Sequence, residues 1–240
     1  MNNNLLKKDN VIHLAFVLIE AFLLVVILFL PWNDTAFSFS AVALAFLHTA
    51  LYFFGKSKGI FILLAMFFTL VSDVFLVILF TNNTNPLYQS LGMSSFSVAQ
   101  IMYFLYLFLS TEKKRARIIH LVIRAVVSIA IVVVTILVLG KTANYLAVIS
   151  MFYYANLLLN VVFAFVLGKK HLLFAIGLLL FAFCDVFVGL KAAVGTFIFV
   201  PETSFIYALA NPSFNVAWTF YVPSQTIISL SIALKAKKGS

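Results

Sequence analysis

Near-continuous apolar runs constrain this chain more than any other feature. The segments at Val11–Trp32, Ile60–Phe80 and Ile118–Leu139 each approach or exceed the roughly 20 residues that a helix needs to cross about 30 Å of hydrocarbon. In lipid, only helices or closed barrels satisfy every backbone polar group. These runs lack the polar–apolar alternation of a transmembrane β-barrel strand, so the barrel is excluded. The chain is 64% hydrophobic and only 10% charged over its 240 residues, a composition that excludes an ordinary water-soluble domain. The expected fold class is all-α, a polytopic integral membrane bundle of about eight transmembrane helices forming a single domain over residues 1–240.

The eight spans are expected at about 11–32, 36–54, 59–80, 95–110, 118–140, 143–167, 172–194 and 214–234, with the fourth short for a full crossing. The net charge of +9 is concentrated in short connections, where it reads as a topology signal rather than a nucleic-acid surface. Lys7 and Lys8, Lys56 and Lys58, Lys113 to Arg117, Lys169 and Lys170, and Lys235 to Lys238 mark one side. The alternate loops carry Asp34, an uncharged 81–94 stretch, Lys141 alone, and Lys191 against Glu202. Both termini are therefore expected to be cytoplasmic, in a multi-pass protein of the cell (inner) membrane. The first run is too long for a signal-peptide core and has no small-residue cleavage site, so it reads as a retained helix. The lone Cys184 excludes an intramolecular disulfide and, in apolar surroundings, reads as inert.

An internal echo accompanies the spans. Gly55-Lys56 leads to Ser72-Asp73-Val74-Phe75, and Gly168-Lys169 leads to Cys184-Asp185-Val186-Phe187. Each is followed by Val-Ala and then a tyrosine, Tyr103 in one case and Tyr221 in the other. The four-span offset predicts a parallel internal repeat with halves at about 11–110 and 118–234.

The polar residues inside these runs are the functional candidates. A carboxylate at the bilayer centre costs about 2.5–3.5 kcal/mol on insertion scales, so one that is kept faces an interior and acts there. Asp73 and Asp185 lie equally far from their basic flanks, roughly 22 Å at 1.5 Å per residue, which predicts one shared polar site. Gln100, Tyr103, Tyr221 and Gln225 reach neighbouring depths from the other side. Glu20 is a third mid-membrane carboxylate, read either as part of the polar interior or as a packing residue. His48 reads as a satisfied interior histidine, with no second ligand at metal spacing. Asn156 and Asn160, at i and i+4, read as interhelical hydrogen-bonding amides. No metal and no cofactor is expected.

These residues carry a resemblance. The Lys56 flank, Ser72-Asp73, the Gly92-to-Tyr103 element, Phe181-Ala182-Phe183-Cys184-Asp185 and the closing Tyr221 with Gln225 resemble the YhhN-like membrane family, which includes lysoplasmalogenases. The resemblance spans roughly residues 40–232. Gln100 stands where the family pattern has His, Ser72 where it has Gly, and Cys184 where it has Ser. It implies eight spans and hydrolysis of the vinyl ether bond of a lysoplasmalogen, a lysophospholipid-like membrane substrate. Asp73 and Asp185 would then be catalytic, with Gln100, Tyr103, Tyr221 and Gln225 orienting water or substrate. Lys56, near the cytoplasmic edge, would meet a phosphate or simply obey the positive-inside rule. Two other readings fit the same residues: a small-molecule transporter with a midplane carboxylate site, and a noncatalytic lipid-binding relative.

Overall fold

The computed structural model describes residues 3–29, 34–53, 59–194, 200–212 and 215–238. Its helices are α1 (Asn3–Phe29), α2 (Asp34–Phe53), α3 (Gly59–Asp73), α4 (Phe80–Asn82), α5 (Pro86–Ser110), α6 (Lys114–Leu139), α7 (Tyr145–Val166), α8 (Leu172–Ala193), α9 (Phe205–Ala210) and α10 (Val216–Lys238). A π-helical segment, Val74–Leu79, joins α3 to α4, so these form one continuous rod from Gly59 to Asn82. No strand pairs with another among the described residues, as apolar runs of this length require.

Among the described residues, seven helices are long and apolar enough to cross a membrane. The eighth expected span is α10, with 23 residues as long as its neighbours but richer in polar side chains. Ser224, Gln225, Thr226, Ser229 and Ser231 on it are all buried. A helix enclosed by other helices can carry such residues, because protein rather than lipid surrounds them. The opposite arrangement holds at α6. Of its buried residues, His120, Arg124 and Thr135 are all polar, while Leu121, Val122, Val126, Leu137 and Val138 are exposed. α6 is thus a peripheral helix with an apolar face for lipid and a thin polar stripe for the protein.

The fourth expected span begins earlier than its hydropathy suggests. Asn85 caps α5, its side chain accepting from the Leu87 N–H at 2.9 Å, and Pro86 takes the first turn. Proline there gives up an N–H that has no helical partner anyway. The stretch expected as a polar loop over 81–94 is therefore mostly helix, and α5 is 25 residues long, enough for a full crossing.

The helices pack in the same order in both halves. α3 lies on α5 as α8 lies on α10; α2 touches α3 and α10 as α7 touches α8 and α5; and α1 flanks α2 as α6 flanks α7. The directions follow from three contacts. Ser72 at the end of α3 donates to the Gly92 carbonyl near the start of α5 at 2.7 Å. Asp73 meets Tyr221 near the start of α10, while His48 near the end of α2 meets Ser229 in the second half of α10. α10 therefore runs parallel to α2 and antiparallel to α3.

Close helix approach depends on two glycines. A Cβ on Gly92 would fall 2.5 Å from Leu76 Cγ, and one on Gly177 2.7 Å from Ile228 Cγ1 and 3.1 Å from the Ile228 backbone nitrogen. Small residues let transmembrane helices meet backbone to backbone. Gly177→Leu is expected to push α8 from α10 and lower stability by about 1–3 kcal/mol, read as thermal unfolding in detergent. Gly189→Ala, where the added methyl meets open space, should leave stability unchanged or raise it by at most about 1 kcal/mol. Equal effects at the two glycines would refute this packing.

Candidate active site

Both sequence-predicted aspartates face the bundle interior, each held by a tyrosine. Asp73 ends the regular part of α3 and is 3% exposed. The Tyr221 hydroxyl on α10 donates to its Oδ2 at 2.6 Å. Asp185, midway along α8, is half-buried and accepts from the Tyr153 hydroxyl on α7. A phenol O–H is a neutral donor, so each carboxylate is held in one rotamer without an opposing charge. Among the described residues neither aspartate has a Lys or Arg partner.

The tyrosine partners of the two acids, Tyr221 and Tyr153, converge on one aromatic ring. Phe181 sits between them, its ring centroid 5.3 Å from Tyr221 and 6.4 Å from Tyr153, and Phe96 closes the side at 5.4 Å from Tyr153. Two carboxylates thus share an aromatic-walled interior fed by α3, α7, α8 and α10, with α5 supplying a wall. Immediately after Asp73 the backbone widens to the π-helical Val74–Leu79, a feature that accumulates at functional positions in α-helices.

The other expected site residues divide. Tyr221 joins Asp73 directly. Tyr103 does not reach either carboxylate: its hydroxyl goes to the Met66 sulfur at 3.5 Å and its ring lies against Phe174 at 5.5 Å. Gln100 is fully buried, with Oε1 accepting from Asn160 Nδ2 at 2.9 Å and Nε2 without a partner among the described residues. Gln225, one turn beyond Tyr221 on α10, is buried with neither amide atom partnered among the described residues. Lys56 lies outside the described residues. Glu20 is 2% exposed, with Oε1 unpartnered among the described residues. His48 is satisfied on both ring nitrogens, by His13 Nδ1 at 3.1 Å and Ser229 Oγ at 2.7 Å.

Two participants escaped the sequence reading. Tyr153 is one; its signal was its position on the α7 face that also carries Asn156 and Asn160, three and seven residues on. Arg124 is the other, an ionised residue about 15 Å into an apolar helix from Lys114. The cost argument that picks out Asp73 applies equally to it. Arg124 donates to Asn156 Oδ1 and Asn160 Oδ1, at 2.6 Å each, and lies over the Phe104 ring at 4.4 Å.

A family model, that of the YhhN family, matches residues 15–232. The chain belongs to the YhhN family. The match takes in both aspartates, both of their tyrosines and Arg124 of this YhhN protein, so the whole site lies inside the family's domain. No curated protein and no solved structure matches the chain. The geometry of the site therefore carries what can be argued beyond family membership.

Proposed function

We propose that this YhhN protein hydrolyses the vinyl ether bond of lysoplasmalogens within the membrane, using Asp73 and Asp185 as an acid–base pair. The observation that supports this reading is the shared, tyrosine-held site of two carboxylates inside an apolar bundle. Enol ether hydrolysis begins with a proton delivered to carbon, giving an oxocarbenium ion at the carbon bonded to oxygen. Water then adds to that carbon and loses a proton, and the resulting hemiacetal collapses. The C–O bond breaks, the glycerol oxygen takes a proton, and a fatty aldehyde and a glycerophospho-headgroup leave. One carboxyl donates the first proton; the other, ionised, steadies the cation and takes the proton from water. Glycosidases divide a closely related oxocarbenium chemistry between two carboxyl groups in the same way.

The surroundings suit such a substrate. Phe181 and Phe96 offer apolar walls to an acyl-type chain, while Tyr153 and Tyr221 fix the two acids without placing a cation beside a developing positive charge. Gln225, with a donor and an acceptor both unpartnered one turn below Asp73's tyrosine, matches a hydroxyl, which also donates and accepts. The transporter reading is less well supported. Inverted or parallel transporter repeats interrupt matching helices around a midplane site. Here α3 changes to π-helix after Asp73, whereas α8 continues as α-helix past Asp185 to Ala193. Pro223 lies inside a continuous α10, with no proline in the body of α5.

The loop charges add a topology to the proposal, with both termini cytoplasmic in the cell membrane. The antiparallel course of α1 and α2, where His13 in the first half of α1 meets His48 near the end of α2, and the parallel course of α2 and α10 fit it. Single cysteines placed at Asn83 and at Glu112 should label from opposite faces, Glu112→Cys from the cytoplasm. Cytoplasmic labelling of Asn83→Cys contradicts the orientation.

Purified protein in lipid nanodiscs should release aldehyde from a lysoplasmalogen. Asp73→Asn and Asp185→Asn should each reduce the rate by about a hundredfold to ten-thousandfold, the usual worth of general acid–base help. The amide keeps shape and accepts the tyrosine hydrogen bond but cannot cycle a proton. Full activity in either variant removes that aspartate from the chemistry. Absence of aldehyde from the wild type leaves lipid binding without catalysis as the better account.

A further inference from the structure

The hydrogen bonds around Arg124 have a forced direction. A guanidinium has donors and no acceptor, so the amide atoms of Asn156 and Asn160 that face it at 2.6 Å are the oxygens. Each Nδ2 group must then point away from Arg124. Asn156 Nδ2 donates to the Phe152 carbonyl at 2.8 Å and to Ser128 Oγ at 3.2 Å. Asn160 Nδ2 donates across to α5, to the backbone carbonyl and to Oε1 of Gln100, at 2.9 Å each. The side-chain atom of Gln100 that meets Asn160 is therefore its oxygen, and Nε2 is turned away from Asn160, fully buried and without a partner among the described residues. The polarity set by one arginine thus runs through Asn160 and ends on an N–H donor of Gln100.

Gln100 lies on the face of α5 that walls this site: it stands one turn after Phe96, whose ring lies 5.4 Å from that of Tyr153, and one turn before Tyr103. Tyr153 in turn holds Asp185. We infer that Arg124, acting through Asn160, is a positioning residue that presents Gln100 Nε2–H to an ether or hydroxyl oxygen of a lipid substrate. The inference rests on the ether-lipid reading of the site. A neutral amide suits this role. A cation next to the C–O bond would oppose the oxocarbenium ion, whereas the relay delivers only a dipole and keeps the arginine charge among Asn156, Asn160 and Phe104.

The competing explanation is that Arg124 only docks peripheral α6 onto α7. Asn160→Asp separates the two. The carboxylate it introduces still accepts from Arg124, so docking is kept, but it cannot donate. Gln100 would then turn Nε2 toward that carboxylate and present Oε1 instead. Gln100→Met removes the donor differently, leaving Asn160 Nδ2 with the backbone carbonyl of residue 100. The probe is 1-O-alkyl-lysophosphatidylethanolamine, a saturated ether that is not cleaved, with binding measured in nanodiscs. Wild type should bind it, and N160D and Q100M should each bind about ten- to hundredfold more weakly, the worth of one buried hydrogen bond, with Q100M, which keeps the bond from Asn160 to the residue-100 carbonyl, unfolding no earlier than wild type. Wild-type affinity in either variant, or no binding by the wild type, overturns the inference. Aldehyde release distinguishes the underlying reading: weakened binding in both variants with no wild-type turnover upholds the relay and rejects the hydrolase. Full turnover in both variants does the reverse.

Discussion

A carboxylate cannot stand in hydrocarbon without help, and the arrangement of this bundle follows from that constraint. Two of them occur in helices otherwise fit to face lipid, so those helices must turn one face inward and find donors there. Asp73 obtains its donor from α10 and Asp185 from α7. The first of those bonds joins helices 148 residues apart in sequence, and the second ties the consecutive helices α7 and α8 across 32 residues. Each interhelical hydrogen bond in a membrane is worth only about 0.6 kcal/mol on average. What they fix is register, since a turn's slip of α10 or α7 would leave an aspartate unpartnered.

The same logic repeats at the flanks of the site. In one corner, α1, α2 and α10 meet through His13, His48 and Ser229, with Thr49 donating to Ser229 at 2.9 Å. In the corresponding corner, α6, α7 and α5 meet through Arg124, Asn160 and Gln100. A short echo accompanies this, Ile12-His13-Leu14 in α1 against Ile119-His120-Leu121 in α6. The two corners differ in chemistry. Histidines and hydroxyls exchange donor and acceptor roles freely, whereas an arginine imposes one direction on every bond downstream.

Much of this was legible in the sequence. The long apolar runs place the crossing helices to within a few residues, because lipid leaves the chain little choice of backbone. The two aspartates and Tyr221 stand out because polar atoms are scarce in such runs. The start of α5 was hidden: a polar stretch rich in Ser, Asn and Gln reads as a loop until the Asn85 cap and Pro86 are weighed together. The π-helical turn after Asp73 leaves no mark in the sequence. Tyr153 was hidden among many tyrosines, since which one reaches Asp185 depends on how α7 is rotated. Arg124 was overlooked for the opposite reason, lying near enough to the Lys113–Arg117 cluster to pass as part of it. Lys56, whose place in the resemblance is clear, falls outside the described residues.

The proposed reaction requires Asp73 and Asp185 to act on one bond. An experimental structure with 1-O-alkyl-lysophosphatidylethanolamine bound tests this most directly. The predicted result has the ether C–O group between the two carboxyl groups, each within about one water of it, with the alkyl chain against Phe181 and Phe96. An ether group lying against only one aspartate, or a lipid bound elsewhere on the bundle, would contradict it.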